Sequence, residues 1–303
     1  MDTQTLPDFR LRSLLAVARK GSVTAAAAEV GLTQPAVSRQ LDELEAEYGA
    51  VLFERRGRNL VPTGAGRTLM DWAVRLEALY RDTRRAVTES SGRLALHIGA
   101  TLTVAEYFLP PVLASFHEAE PGAEIGLVVA NTAEIVRQLR SGELGLGVVE
   151  GPFDAEGLEA STLAEDNLVA IGPGKGDGRL DRKLSLQDLL GLPLILREEG
   201  SGTRAVFEGW LLAMGQDPDR LKPTMEIGSL GTIKALVAGG LGYSVISRRA
   251  VDRELGAGGL GLLEVEGFPI PRELRLVARP GDPGRAAEAF MKALALAAPP
   301  RPR

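Results

Sequence analysis

The chain of 303 residues has no cysteine and only two histidines. Without thiols it has neither a disulfide framework nor a thiolate metal site. His97 falls in a stretch that reads as strand and His117 in one that reads as helix, and neither is paired with a nucleophile in any recognisable pattern. No apolar run approaches the roughly 20 residues of a membrane-spanning helix, and no basic-then-apolar leader opens the chain. A soluble, cytoplasmic protein is the expectation. The Gly-x-x-x-x-Gly-Lys phosphate loop and spaced metal ligands are also missing, so no cofactor is expected. Ser201 lies in Gly-Ser-Gly but lacks the surroundings of a nucleophile elbow. An enzyme acting through Ser201 is therefore the weakest reading.

The length suits two or three compact units. The net charge of −5 looks unfavourable for a nucleic-acid partner, but it is unevenly spread. Residues 1–90 hold 13 basic and 12 acidic side chains, a balance of +1 that leaves −6 for the remainder. In that first part, Leu11, Leu14, Leu15 and Ala18 form a helical stripe ending at Lys20-Gly21. Ser22 caps the next helix, with Ala26, Ala27 and Val30 facing in and Gly31 breaking it. Thr33 is the N-cap of a third helix with Pro35 in its first turn. Val37, Leu41 and Leu44 mark its buried stripe, so Pro35, Ser38, Arg39 and Asp42 lie opposite, with Thr33 and Gln34 projecting from its start. Two short helices around one glycine form a helix-turn-helix, whose second helix enters the major groove of DNA. Hydroxyls, an amide and an arginine suit phosphate and base-edge contacts. An ordinary amphipathic surface helix would show the same periodicity. Val51 to Phe53 and Leu60 to Val61 then flank a hairpin tip rich in arginine, Arg55, Arg56 and Arg58. It is either a basic DNA contact or a solvated turn.

From Phe9 to Thr63 the chain resembles the winged helix-turn-helix domain of LysR-type transcriptional regulators. The resemblance rests on Ala25-Ala26-Ala27, Val30-Gly31-Leu32, Gln34-Pro35-Ala36-Val37-Ser38, Leu41, Leu44-Glu45, Leu52-Phe53-Glu54-Arg55, Leu60 and Thr63-Gly64-Ala65-Gly66. Tyr48 departs from the usual smaller residue and reads as packing. The implied DNA-facing residues are Ser22, Thr33, Gln34, Pro35, Ser38, Arg39, Arg55, Arg56 and Arg58. After this domain (1–62), a helix over 63–91 carries Leu69, Ala73, Leu76, Tyr80 and Val87 near heptad spacing. Such a stripe packs on its own chain or on a second subunit. The resemblance implies the latter, with Leu69, Ala73, Leu76 and Tyr80 as the dimer contact and a homodimer or homotetramer as the assembly.

Residues 92–303 alternate short strands with helices, which argues for a mostly parallel sheet with helices on its faces. Strands are expected at 94–99, 125–129, 144–149, 168–171, 194–196, 225–228, 241–247 and 274–278. Two halves, 92–163 with 268–303 and 164–267, would form a clamshell. The run from Ile233 to Gly242 resembles the LysR effector-binding domain, which shares its fold with type 2 periplasmic binding proteins. Hydroxyls stand at helix starts in Thr101-Leu102-Thr103, in Ser201-Gly202-Thr203 and at Ser229, and Asn131-Thr132 follows a strand. Converging helix N-termini bind small anions, although each hydroxyl also suffices as a plain cap. The resemblance implies that Thr101, Thr103, Asn131, Thr132, Ser201, Gly202, Thr203 and Ser229 line an effector pocket. Arg204 is a weaker candidate for an ion pair with the effector. Glu150 either selects a donor on the effector or pairs with a neighbour. Arg197 to Arg204 is similar to regulators of sulfur and carbon assimilation, which implies an inorganic oxyanion or a small carboxylate. The reading is a transcriptional regulator controlled by such an effector. The rival is a cytoplasmic anion-binding protein with no regulatory output.

Overall fold

The apolar stripe of the first helix is buried in a core that reaches along the chain to Ala73. A computed structural model describes residues 8–57, 59–174, 178 and 182–297 and divides the chain into two compact units, Met1–Ser91 and Gly92–Arg303. In the first, α1 (Phe9–Lys20) starts at Asp8, whose carboxylate accepts from the Arg10 N–H, and stops at Gly21. The helix α2 (Val23–Val30) runs from Ser22 to Gly31, and α3 (Gln34–Tyr48) from Thr33 to Gly49. Each begins with a polar cap and ends in a left-handed glycine, so side chains and backbone set the boundaries together. Leu14, Ala26, Val37, Leu41 and Leu44 meet in one core. The strands β1 (Phe53–Arg56) and β2 (Asn59–Pro62) pair antiparallel from Phe53↔Pro62 to Arg56↔Asn59. This hairpin is tighter than expected, because Arg55 and Arg56 are strand residues rather than part of a loop.

The long helix α4 (Gly64–Ser90) starts against the hairpin. A Cβ at Gly66 would lie 2.1 Å from the Leu52 carbonyl oxygen, so this helix start requires glycine. Two expectations need correction. Ala73 is fully buried in the domain's own core, with Leu69 packed against it, so Ala73 is not a subunit contact. The large exposed apolar side chains of α4 are Trp72, Leu76, Leu79 and Val87, while Tyr80 is half-buried. Tyr48 is 53% exposed rather than packed, because it is the last residue of α3 and projects past the core.

In the second unit, β3 (Ala95–Thr101) leads directly into α5 (Leu102–Tyr107) and α6 (Leu109–Ala119). Next come β4 (Glu124–Ala130), α7 (Thr132–Arg140) and β5 (Leu146–Glu150). Both β4 and β5 lie parallel to β3. The chain then crosses into its other half on β6 (Glu159–Pro173). There it forms α8 (Leu186–Leu190), β7 (Ile195–Leu196), α9 (Gly202–Ala213), β8 (Met225–Glu226), α10 (Leu230–Ala238), β9 (Ser244–Ser247), α11 (Asp252–Gly256) and β10 (Leu260–Leu262). It returns on β11 (Ile270–Ala278) and closes with α12 (Arg285–Ala297).

The expected mostly parallel sheet is only half right. β6 pairs antiparallel with β9, β10 and β11, and β11 pairs antiparallel with β5. One seven-stranded sheet therefore runs through both halves in the order β10-β6-β11-β5-β3-β4, with β9 also on β6. The reason is connectivity: two strands that carry the chain out and back must run in opposite directions. Separate cores form on the two sides. Phe116 and Phe290 meet edge to face at 6.0 Å in the first half, and Phe207 packs with Leu168 and Leu211 in the second. Each such buried ring contributes roughly 1.5–3 kcal/mol by removal from water.

Candidate functional site

In the first unit, burying Val37, Leu41 and Leu44 turns the other face of α3 outward. Gln34, Pro35, Arg39 and Asp42 are exposed there, and Ser38 is half-buried. The Thr33 Oγ1 accepts from the Ala36 N–H at 3.4 Å, and Gln34 Nε2 donates to Ser38 Oγ at 3.2 Å. Arg39 pairs with Glu43 at 2.9 Å while its side chain stays 82% exposed. An exposed pair of this kind holds its partner weakly. Arg55 is exposed on β1, Arg56 pairs with Glu54 at 2.9 Å, and Arg58 lies outside the described residues. Ser22 is a half-buried cap of α2. Sequence reasoning missed Gln40, which accepts a 2.5 Å hydrogen bond from the buried Ser13 and so ties α3 to α1.

In the second unit, the loops expected to form a pocket meet at the junction of the two halves. Glu150 ends β5, and its side chain accepts a hydrogen bond from Thr101 Oγ1. Its backbone carbonyl accepts from Thr132 Oγ1 at 2.8 Å. The first turn of α9 lies directly on this spot, and a Cβ at Gly202 would sit 1.9 Å from the Glu150 carbonyl oxygen. Asn131 caps α7, and its Nδ2 donates to the Glu199 carbonyl at 3.4 Å. The Ala133 N–H donates to the Gly200 carbonyl at 3.2 Å. Thr203 Oγ1 accepts from Arg272 Nη1 at 2.9 Å. Thr101, Thr103, Thr132, Glu150, Ser201 and Thr203 are all at most 3% exposed. Thr103 Oγ1 and Ser201 Oγ have no hydrogen-bond partner among the described residues.

Arg272 is the functional candidate that sequence reasoning missed. It lies on β11 opposite Asp166 of β6. Its Nε donates to Asp166 Oδ2 at 2.8 Å, and Nη1 lies 3.6 Å from Glu150 Oε1. Asp166 also accepts from Ser247 Oγ and has Arg249 at 3.7 Å. Two carboxylates and two guanidinium groups thus bridge the halves through the crossing strands. Pro271-Arg272-Glu273 follows no binding pattern, so only the strand pairing reveals it.

Two other expectations fare differently. Ser229 is exposed, and its hydroxyl accepts from the Thr232 N–H at 3.2 Å as a plain cap; it makes no hydrogen bond to the buried group. The guanidinium of Arg204 is taken by Glu208 and Glu226, each at 2.7 Å, so it is not free to meet an effector. A cavity of about 390 Å³ opens beside the junction, between α7 and α9. It is lined by Ala133, Val136, Arg140, Phe153 and Ala205, and shares Thr132 and Gly202 with the hydroxyl group.

A winged helix-turn-helix followed by a two-halved α/β unit, with buried donors at the junction, defines a class: regulators that bind DNA and carry their own ligand-binding domain. Comparison with known proteins narrows this. Residues 9–67 match the bacterial regulatory helix-turn-helix protein model of the lysR family, and residues 88–298 match the LysR substrate binding domain. The chain is 38% identical to the HTH-type transcriptional regulator CbbR of Rhodospirillum rubrum, over 92% of this chain and 94% of that one. It is 35% identical to the RuBisCO operon transcriptional regulator of Allochromatium vinosum, over 90% and 89%. Among solved structures, the regulatory domain of Synechocystis PCC6803 CcmR in complex with 2-PG aligns with a TM-score of 0.61 at 26% identity, covering 70% of this chain and 99% of that domain.

The chain belongs to the LysR family of transcriptional regulators. It is a DNA-binding regulator with an effector-binding domain, and the family models and relatives bear out the resemblance to LysR-type regulators. They are named as regulators, not enzymes. Among the described residues no helix is long and apolar enough to cross a membrane.

Proposed function

We propose that the effector is a small anion, bound where Thr101, Thr103, Thr132, Ser201 and Thr203 converge on the start of α9, with Asn131 at the rim. The observation that carries this is the pair of buried hydroxyls without partners among the described residues, Thr103 and Ser201, beside a helix N-terminus. Buried polar atoms are almost always hydrogen-bonded, and helix starts favour negative charge. The complex of the related CcmR domain with 2-PG supports a ligand in this domain. In the cytoplasm, two copies pair through the exposed stripe of α4, and homotetramers arise from such dimers. Each dimer presents two α3 helices to a palindromic operator, read by Thr33, Gln34, Pro35, Ser38 and Arg39, with Ser22 and the wing arginines on phosphates. Effector binding favours one arrangement of the halves and thereby one spacing of the α3 pair, through its differential affinity for the two states.

Thermal-shift screening of the full chain against sulfate, phosphate and 2-PG tests the ligand class, because a ligand that binds only the folded state raises the melting temperature. DNase footprints with and without the stabilising anion test the coupling. A footprint and transcription that do not change with a bound anion would sink it.

A further inference from the structure

Arg272 is unusual for a buried cation. Its side chain is 1% exposed, yet it uses few of its five N–H groups. One goes from Nε to Asp166 and one from Nη1 to Thr203. Glu150 Oε1, at 3.6 Å from Nη1, is close enough to pair in charge but too far for a hydrogen bond. Nη2 lies 2.7 Å from Asp166 Oδ2 but makes no well-directed hydrogen bond. Thr103 Oγ1 and Ser201 Oγ, each two residues from a side chain of this network, are also unpartnered. Under-used donors thus come from three separate segments: the β3–α5 junction, the loop before α9, and β11. What they share is the capacity to donate to oxygen. Glu150 already behaves as such an acceptor, taking the Thr101 hydroxyl and facing Arg272.

We propose that Arg272 is the charge-recognising residue of the effector site, and that Glu150 is an internal anion which the carboxylate or phosphate of the effector displaces from it. This rests on the effector reading above and adds which residue meets the charge and which one competes for it. The two carboxylates beside Arg272 are not equivalent. Asp166 is bonded to Arg272 Nε and to Ser247, and lies near Arg249, so it anchors the guanidinium. Glu150 has one hydroxyl and no direct hydrogen bond to Arg272, so it is the partner that yields. A neutral ligand gains only an ordinary hydrogen bond at Arg272, whereas an anion gains bidentate, charge-assisted bonds of the kind guanidinium groups favour. The remaining negative charge of Glu150 opposes that anion, and this sets how tightly it binds.

The test is calorimetric titration of the full-length protein with sulfate and with 3-phosphoglycerate at constant ionic strength, as wild type, Glu150→Gln, Arg272→Gln and Ser201→Ala. Glu150→Gln keeps the shape and the Thr101 hydrogen bond but removes the competing charge, so it is expected to bind at least one anion about tenfold more tightly. Arg272→Gln is expected to lose tenfold or more; should it fail to fold, Glu150→Gln decides alone. Unchanged or weaker binding by Glu150→Gln, with wild-type binding intact and lost in Ser201→Ala, overturns the internal-anion proposal and leaves the effector site standing. No binding of either anion by wild type or Glu150→Gln overturns both.

Discussion

Arg39 carries a charge that its own domain scarcely uses. Its one ion pair, with Glu43, leaves it 82% exposed, so Arg39→Ala is expected to leave α3 folded by circular dichroism. Specific operator binding in a gel shift should fall about tenfold or more, as for loss of one base or phosphate contact. Gly202 is the opposite case, because a Cβ there meets the Glu150 carbonyl at 1.9 Å. Gly202→Ala is expected to destabilise the protein by about 1–3 kcal/mol in urea denaturation, the usual cost of overpacking. The hydroxyls of the junction were legible in the sequence because a Ser or Thr before a helix is a local signal. Arg272 was not, since its role comes from Asp166, more than a hundred residues away in the chain and opposite it on the neighbouring strand. Arg204 misled for a different reason: it stands on the first turn of α9, where Glu208 one turn on and Glu226 of β8 take its guanidinium.

At the scale of the element, α4 shows how far periodicity reaches. A heptad pattern identifies an apolar stripe but not what covers each residue, and Ala73 is buried in the core of its own domain. The exposed Leu79 and Leu76 remain available for a partner helix. Leu79→Asp is therefore expected to shift the protein towards monomer in sedimentation velocity and to weaken operator binding, without loss of the monomer's helicity. A second element-level link joins the halves of the effector domain. Lys234 of α10 donates to Tyr107 at the end of α5, to the Ala250 carbonyl and to Glu254 at 2.6 Å. Burial pulls the lysine pKa down, but the bonds to Glu254 and Tyr107 outweigh it, leaving it above the usual 10.5. A raised lysine pKa means that the folded state binds the proton more tightly. Its contribution is thus complete below pH 10.5 and is lost as pH rises past the folded value. Stability of the wild type should fall in that alkaline range more steeply than that of Lys234→Met, followed by thermal denaturation against pH.

For the whole molecule, charge distribution matters more than its sum. The net charge is −5, yet the DNA-binding third is close to neutral and exposes Arg39 on α3 and Arg55 and Arg56 on the wing strand. Operator affinity is expected to drop by roughly a thousandfold between 50 and 200 mM salt if the dimer makes about six phosphate contacts. A filter-binding titration checks this, and a flat response would exclude phosphate contacts as the main source of affinity.

By itself the sequence determined the order of elements, the three capped helices, the exposed side of α3 and the hydroxyls at helix starts. Each of these depends on residues within about one or two turns of one another. Tertiary structure alone decided that the sheet is continuous through both halves, that Ala73 faces inward and that Arg272 joins Glu150, Asp166 and Thr203. Those facts depend on which distant segments come to lie side by side, and strand pairing across a hundred residues leaves no periodic mark on either strand.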